Sequence, residues 1–314
     1  MRYEITKCRT GVLALVIGGT MATSAQAEMF FYTGFGNTTG LSINGTASVQ
    51  NVGGNDVLVL TPPSPSSGGS VFSTQALGLT NDYSFSTRFT FNIGDNRMTQ
   101  WGPIGADGLA FVVQTVSNSV GSAGGSLGYG GINPSVAVEF DTYSNRSDPD
   151  FNGDLTDNNH IAIMQNGDTA NHLKFANVSS ALQLSGGNDI TAFIDYNGGT
   201  NLMEVRWSTD GLRPAGTGLA YTIDLANLFG TNPVYVGFTG ATGTDWSRQS
   251  IVNWSFIGYY DPIAETPTGT IPAGSSPPGA VPEPATWLMM IAGFGMVGGT
   301  MRRRGRGTMM AVAR

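Results

Sequence analysis

Between residues 83 and 92, the sequence alternates strictly between two kinds of side chain. One set is mainly aromatic and would cover one face of an extended chain; it comprises Tyr83, Phe85, Thr87, Phe89 and Phe91. The interleaved set is polar and comprises Ser84, Ser86, Arg88, Thr90 and Asn92. A period of two residues predicts a β-strand with one buried face. Such a strand needs neighbours in a sheet and a second layer to cover its aromatic face.

Other segments predict further short strands, at 109–113, 136–138, 161–163, 190–196, 202–208, 234–239 and 252–257. The first two are apolar throughout, so both faces of those strands are expected to be buried. Turn signals separate the strands, at Gly68-Gly69, Asn197-Gly198-Gly199 and Asp210-Gly211. Because no stretch of twelve residues has a helical period, we predict an all-β chain that forms a single-domain sandwich or barrel.

The first 27 residues have the three-part layout of a secretory signal peptide. A basic start is followed by an apolar stretch at 11–19 and by small residues that end in Ala25-Gln26-Ala27. Cleavage is expected after Ala27, and a buried N-terminal helix is the alternative. The single cysteine, Cys8, precedes the apolar stretch, which argues against a lipid anchor. The mature chain would therefore contain no disulfide, thiolate metal site or cysteine nucleophile.

The C-terminal end carries a second export signature. Residues 262–281 are rich in Pro, Gly, Ser and Thr and are predicted to form a linker. Residues 282–314 combine Pro282-Glu283-Pro284, a 17-residue apolar run at 285–301 and an arginine cluster that begins at Arg302. The run is at the short limit for a membrane span, and the arginines would stay in the cytoplasm.

This order resembles the PEP-CTERM sorting signal of Gram-negative bacteria. The resemblance implies transient membrane insertion, processing by a protease of the exosortase type, and delivery to the cell envelope, cell surface or extracellular matrix. A plain C-terminal membrane anchor is the alternative.

The remaining segment, 28–261, is predicted to be the folded domain and is strongly acidic. It contains 19 Asp and Glu against 7 Lys and Arg, a net charge of −12. Because like charge repels a phosphate backbone, nucleic acid is excluded as an electrostatic partner. Cations and neutral ligands remain compatible with this charge.

Acidic residues are concentrated between residues 139 and 168, which hold seven of the chain's 22 together with His160. Glu139 and Asp141 end a predicted strand and differ by two positions, so both point to the same face. Carboxylates about 4.5 Å apart repel by roughly 3–4 kcal/mol at an effective dielectric of about 20, and a bound cation would reverse that effect. Oxygen ligands suit Ca²⁺, whereas an imidazole with two carboxylates suits a transition ion such as Mn²⁺ or Zn²⁺. A solvated acidic loop without metal is the alternative.

Six short motifs follow one another in an order that points to one family. They are Ala106-Asp107-Gly108-Leu109-Ala110-Phe111, Gly124-Gly125-Ser126-Leu127-Gly128, Val138-Glu139-Phe140-Asp141-Thr142-Tyr143-Ser144-Asn145, Asn159-His160-Ile161-Ala162-Ile163, Val236-Gly237-Phe238 and Trp254-Ser255-Phe256. Together they resemble the L-type, or legume-type, lectins over nearly all of residues 29–259. The resemblance implies a jelly-roll β-sandwich of the concanavalin-like type and calcium-dependent carbohydrate binding.

The resemblance also implies the residues of the sugar site. Asp107 and Asn145 would form hydrogen bonds with sugar hydroxyls, together with the main-chain N–H of Gly125. The Ala106–Asp107 peptide bond would be cis, and the ring of Tyr143 would face the apolar side of the sugar. The variable last loop of the site would comprise Gly243, Thr244 and Asp245.

The metal positions follow from the same resemblance. Asp141 would bridge a Ca²⁺ ion and a transition ion such as Mn²⁺. The carbonyl of Tyr143 and the side chain of Asn145 would bind the Ca²⁺, and Glu139 and His160 would hold the transition ion.

One ligand departs from the family pattern. Legume members place a further shared Asp five residues before the histidine, where this chain has Leu155. We expect Asp154 to take that role, with Asp157 as the second candidate.

These expectations describe an exported, non-catalytic lectin that binds glycans or exopolysaccharide. One alternative is a glycoside hydrolase, which needs two carboxylates that flank the glycosidic bond. Related glucanases use Glu-x-Asp-x-x-Glu on one strand, but here the segment 139–144 lacks the second glutamate, so we predict no enzyme activity. The other alternative is a structural matrix protein that keeps the fold and binds no sugar.

Overall fold

The computed structural model describes residues 28–79, 82–100, 102–143, 145, 159–178, 181–265 and 270–273. The predicted signal peptide, the sorting segment and most of the predicted linker lie outside these residues. Within them the chain forms β-strands and one short helix. In chain order, the first nine strands are β1 (Met29–Tyr32), β2 (Leu41–Gly45), β3 (Ser48–Val52), β4 (Asn55–Thr61), β5 (Gly68–Ser73), β6 (Phe85–Gly94), β7 (Arg97–Thr99), β8 (Gly102–Ile104) and β9 (Gly108–Gln114). The remaining elements are β10 (Ser135–Asp141), β11 (His160–Gln165), β12 (Lys174–Asn177), β13 (Asp189–Asn197), β14 (Leu202–Ser208), β15 (Leu219–Thr222), α1 (Leu225–Phe229), β16 (Tyr235–Ala241) and β17 (Arg248–Ile257).

The strands form two large antiparallel sheets. The eight-stranded sheet has the order β15-β14-β13-β6-β17-β4-β3, with β1 also paired to β17. The seven-stranded sheet has the order β12-β11-β10-β9-β16-β5-β2, and β7 and β8 form a separate hairpin. The prediction of an all-β sandwich is thereby confirmed.

Aromatic side chains of β6 fill the space between the two sheets. The ring centre of Phe89 lies 5.9 Å from that of Phe111 and 4.9 Å from that of Phe238, both on the opposite sheet. Phe91 lies 4.7 Å from Phe140 in the same way. Each ring removed from water contributes roughly 1.5–3 kcal/mol. The alternation at residues 83–92 therefore marks the strand that carries much of the core.

A second, smaller cluster covers the outer face of the seven-stranded sheet. Val112 of β9, Ala137 of β10 and Met164 of β11 pack there against Tyr129 and Ile132 of the long β9–β10 connection. Every residue of β9 and β10 is consequently buried. Burial on both faces agrees with the apolar runs at 109–113 and 136–138.

The alternating strand β6 is also buried on both faces. Ser86, Arg88 and Thr90 of its polar face are 0%, 4% and 7% exposed, so the prediction of a single buried face for this strand is wrong. The covered polar groups are paired instead, since Arg88 donates to Asn253 Oδ1 and to the Gly211 carbonyl, and the hydroxyls of Thr90 and Thr191 lie 2.9 Å apart.

The pair Gly68-Gly69 is not a turn, as its composition suggested, but the start of β5. A methyl group at Gly69 would lie only 2.1 Å from the carbonyl oxygen of Leu60. The two glycines therefore allow a close approach of neighbouring backbone rather than a reversal of the chain.

The segment after β17 returns to the first strand. Ile271 and Phe31 exchange backbone hydrogen bonds of 2.7 and 2.8 Å, and the amide of Ala273 donates to the hydroxyl of Tyr32 at 2.9 Å. Residues 270–273 thus lie against β1. Across the part of the chain that the structure describes, no helix is long and apolar enough to cross a membrane. The span predicted at 285–301 falls outside that part.

Candidate functional site

The predicted site residues meet at one end of the seven-stranded sheet because antiparallel pairing brings alternate strand ends together. Gly108, the first residue of β9, pairs with Asp141, the last of β10, and with Ala241, the last of β16. Asp141 in turn pairs with His160, the first residue of β11. The loops that leave these strands therefore converge on one rim of the sandwich.

Asp107 stands immediately before β9, and the Ala106–Asp107 peptide bond is cis, as the resemblance implies. Its backbone is held on both sides: its amide donates to the Ala241 carbonyl at 3.0 Å, and its carbonyl accepts from the Thr142 amide at 2.9 Å. Gly108 follows with φ +138°, and a methyl group there would lie 2.3 Å from the Phe140 carbonyl. Glycine is required at that position because the backbones are in contact.

The carboxylate of Asp107 is buried without a full set of partners. The residue is 4% exposed, and among the described residues its Oδ2 has no hydrogen-bond partner. Burial and the charge of nearby Asp245 raise the pKa of Asp107 from its ordinary value of 3.8 to about 7. A buried acceptor of this kind favours a ligand that brings a hydroxyl donor.

Gly243 lies beside this carboxylate, and Gly125 lies beside Asn145. A methyl group at Gly243 would lie 3.7 Å from Oδ2 of Asp107. One at Gly125 would lie 3.9 Å from Oδ1 of Asn145. Both loops thus present bare backbone beside a predicted sugar ligand. Thr244, next along the last loop, is exposed.

The tight turn after β10 gathers the predicted calcium ligands. Oδ1 of Asp141 accepts from the amide of Tyr143 at 2.6 Å, and Nδ2 of Asn145 donates to the carbonyl of Tyr143 at 3.4 Å. One carboxylate, one carbonyl and one amide side chain therefore lie within five residues, and these are oxygen ligands of the kind that Ca²⁺ takes. Asp154 and Asp157 fall outside the described residues, so the choice between them stays a prediction.

Tyr143 also faces the last loop. Burial, the negative charges of Asp245 and Asp107, and a hydrogen bond to Asp245 raise the pKa of its phenol above the ordinary value. Its ring is therefore held by its hydroxyl group at the rim of the site.

Glu139 and Asp141 point to the same face of β10, as predicted, while the intervening Phe140 points into the core. Glu139 is 1% exposed, and its Oε1 lies 3.1 Å from Nε2 of His160. The structure thus brings together the two residues that the resemblance assigns to the transition ion.

A second histidine, which our sequence reasoning missed, joins this pair. Nε2 of His172 lies 2.8 Å from the same Oε1 of Glu139, and its side chain is 1% exposed. The two imidazole centres are 4.9 Å apart. The ligand atoms of Glu139, His160 and His172 all lie within 4.8 Å of one another. The sequence offered one indication of this residue: the chain has only two histidines, and they are twelve positions apart.

The charges at this cluster suit a cation. Burial opposes ionisation of Glu139, but hydrogen bonds and positive charge from His160 and His172 outweigh it and lower the pKa of the carboxyl. Nε2 of His172 faces the Glu139 carboxylate, and among the described residues its Nδ1 has no hydrogen-bond partner. An ionised carboxylate beside buried imidazole nitrogens fits the ligand preferences of a transition ion.

Comparison with protein families gives two matches. The legume lectin domain matches residues 27–269, which is most of the chain. The PEP-CTERM protein-sorting motif matches residues 280–304.

Among curated relatives, the L-type lectin-domain containing receptor kinase VIII.1 of Arabidopsis thaliana is 33% identical over 232 residues. The match covers 72% of this chain but only 29% of the kinase. This chain thus spans less than a third of that relative's length.

Solved structures give the same result for the fold. A lectin from Bauhinia forficata in complex with GalNAc is 28% identical, with a TM-score of 0.60 over 74% of this chain and 98% of the lectin. Basic winged bean lectin with Tn-antigen is 26% identical, with a TM-score of 0.61 and the same coverage of both chains. These matches cover nearly the whole of each lectin.

Proposed function

We propose that this chain, which belongs to the legume lectin domain family, is an exported protein that binds carbohydrate in the presence of Ca²⁺ without changing it chemically. The observation that carries the proposal is the buried, incompletely partnered carboxylate of Asp107 at the rim where Gly125 and Asn145 also lie. The similar lectins were solved with GalNAc and with Tn-antigen, which supports a glycan as the class of ligand.

Each group at the rim has a distinct task in this proposal. The carboxylate of Asp107 accepts hydrogen bonds from sugar hydroxyls, and a bond to a charged group contributes roughly 1.5–3 kcal/mol. The Gly125 amide donates to the sugar, and the absence of side chains at Gly125 and Gly243 leaves room for it. The ring of Tyr143 packs against the apolar face of the sugar, and its carbonyl, Asp141 and the aimed side chain of Asn145 would hold Ca²⁺.

The charge of a bound Ca²⁺ ion would also affect the ionisation of Asp107. A cation in the turn after β10 favours the ionised form of nearby carboxylates. The ionised form is the better acceptor, and this links calcium binding to sugar binding without a change of fold.

A glycoside hydrolase fits the site less well. Such an enzyme needs an acid and a second carboxylate that both reach the sugar. Glu139 is buried and faces His160 and His172, so its carboxylate is engaged away from the rim. We therefore expect no release of reducing sugar from polysaccharides, and such release would overturn the non-catalytic assignment.

The sorting motif at 280–304 supports export to the envelope or exterior of a Gram-negative cell and processing by an exosortase-type protease. The kinase activity of the plant relative is not part of the proposal, because this chain spans only 29% of that protein.

A glycan array probed with the purified full chain tests the proposal. We expect binding in Ca²⁺, loss of binding on addition of EDTA, and loss in Asp107→Ala protein that keeps its circular dichroism spectrum. Asp261→Ala is the matched control because Asp261 is exposed and its amide donates to Ser86, at the end of β6 opposite the rim. An empty array in Ca²⁺, or wild-type binding by folded Asp107→Ala protein, would reject the sugar site in favour of a structural matrix role.

A further inference from the structure

From the cluster described above, we infer that His172 is a metal ligand, which gives the position beside the calcium turn a second imidazole. His172 joins Glu139, His160 and the bridging Asp141 there, and the second imidazole makes the site prefer Zn²⁺ or a similar ion over Mn²⁺. This inference rests on the proposed metal-dependent function and names the ion that its second position takes.

The two nitrogen–oxygen distances are those of hydrogen bonds, and they lie close to the separation of ligand atoms around one ion. Oε1 of Glu139 lies 3.1 Å from Nε2 of His160 and 2.8 Å from Nε2 of His172. Ligand atoms around a tetrahedral Zn²⁺ at about 2.0–2.1 Å stand about 3.3–3.4 Å apart, so a shift of a few tenths of an ångström would admit the ion.

Hydrogen bonding alone does not account for His172. Its side chain is 1% exposed, and although Nε2 lies against the Glu139 carboxylate, Nδ1 has no partner among the described residues. Buried polar nitrogens are almost always satisfied in folded proteins. An ion between Nε2 and the Glu139 carboxylate would bind both groups and would leave Nδ1 as the N–H of a neutral imidazole.

The loop that presents His172 is fixed in advance. Oδ1 of Asp168 accepts from the amides of Ala170 and Asn171 at 3.0 and 3.1 Å. The amide of Leu173 donates to the carbonyl of Ile163 on β11 at 2.8 Å. The histidine between these anchors is therefore held over Glu139 before any ion arrives, and ordering of the ligand costs little on binding.

The donor set decides which ion is preferred. Carboxylate and carbonyl oxygens suit Mg²⁺, Ca²⁺ and Mn²⁺, whereas imidazole nitrogens shift preference toward Zn²⁺ and its neighbours. A second imidazole therefore widens the gap between Zn²⁺ and Mn²⁺. The ratio of the two affinities, rather than either affinity alone, reports whether His172 is bound to the ion.

The test measures Zn²⁺ and Mn²⁺ binding to the full chain by calorimetry, after metal is stripped with EDTA and Ca²⁺ is restored to saturation. We expect Zn²⁺ to bind more tightly than Mn²⁺. In His172→Ala protein, Zn²⁺ affinity should fall about 100-fold and the Zn²⁺/Mn²⁺ ratio about 10-fold. Phe175→Leu is the control, because the Phe175 ring lies 5.9 Å from that of His172 and carries no ligand atom.

An unchanged Zn²⁺/Mn²⁺ ratio in His172→Ala protein, or equal effects of the Ala and control variants, would overturn the inference. So would a wild-type chain that binds no Zn²⁺. The visible spectrum of bound Co²⁺ gives a second readout, which should lose intensity in His172→Ala protein as a nitrogen ligand is removed. Glycan binding in Ca²⁺ is scored separately, so a failed sugar site and a failed zinc site are distinguishable.

Discussion

Nη1 of Arg97 donates to Oδ1 of Asp245 at 2.5 Å and thereby joins the β7–β8 hairpin to the loop after β16. The guanidinium also lies 5.5 Å from the ring centre of Trp246, and the Arg97 amide donates to the Trp246 carbonyl. Asp245 is thus held in place beside Asp107 rather than directed freely at solvent. The last loop of the proposed sugar site is consequently anchored through a hairpin that the sequence patterns did not associate with it.

Loss of this anchor should weaken sugar binding without unfolding the domain. In Arg97→Ala protein, Asp245 keeps its charge beside Asp107 and Tyr143 but loses its partner. We expect sugar affinity to fall about 5- to 10-fold, or about 1–1.4 kcal/mol, as measured by calorimetry with the best array ligand. The melting temperature should change little, since the Arg97 side chain is 37% exposed.

Arg248→Ala is the matched control for this experiment. It removes a comparable ion pair, Arg248 Nε to Asp95 Oδ2 at 2.7 Å, whose carboxylate is 60% exposed. Equal losses of affinity in the two variants would show that the Arg97 effect is a general effect of charge rather than of the loop.

Calcium should raise the melting temperature of the metal-free chain through Asp141. Binding to the folded state alone at 100 times the Kd adds about 2.7 kcal/mol, which is about 5–10 °C for a domain of this size. Asp141→Ala protein should show no such shift, because the turn after β10 loses its charged ligand. Differential scanning calorimetry with and without Ca²⁺ checks this, and a full shift in the variant would remove Asp141 from the site.

The buried charge of Asp107 should make the metal-free chain less stable as pH rises. Its pKa is about 7 in the fold against an ordinary 3.8, so the folded state holds the proton more tightly than the unfolded chain. The stability from this group is complete below pH 4 and is lost as pH rises through 7. Asp107→Asn should avoid that loss, and above pH 7 it should exceed wild type by at most about 4 kcal/mol.

Urea denaturation in EDTA between pH 4 and pH 8 measures the difference between the two proteins. The gap should widen with pH, and a constant gap would mean that the carboxylate is not held in its neutral form. The same variant should bind sugar poorly. Asp107 would then lower the free energy of unfolding while it raises the affinity for sugar.

Export predicts a defined mature chain. We expect protein isolated from the native envelope or medium to begin at Glu28 and to lack the arginine cluster at 302–306, and intact mass spectrometry decides both points. The presence of Met1 or Arg314 in that material would contradict the prediction.

Features with a local cause could be predicted from the sequence. The alternation at residues 83–92 identified the central strand β6, and Glu139 and Asp141 share a face because they are two positions apart on β10. The cis peptide before Asp107 followed from the resemblance and not from any local rule. Strands β2 and β3, by contrast, carry polar side chains at the sheet edges and give no periodic signal.

Features that depend on distant parts of the chain could not be predicted. His172 reaches Glu139 only because the loop between β11 and β12 folds back over the sheet. Arg97 reaches Asp245 across 148 positions of sequence. Neither pair has a spacing that a local pattern can detect, since both contacts are set by strand order.

The pairing of Ile271 with Phe31 determines the direction in which the chain leaves the sandwich. β17 begins at Arg248, near the rim that carries Asp107, and Phe31 pairs with Ser255 of that strand, about 23 Å further along at about 3.3 Å per residue. The segment from 270 to 273 runs antiparallel to β1, hence away from that rim. The last described residues therefore lead away from the ligand-binding rim, so a segment attached there would begin on the side of the sandwich that leaves the rim uncovered.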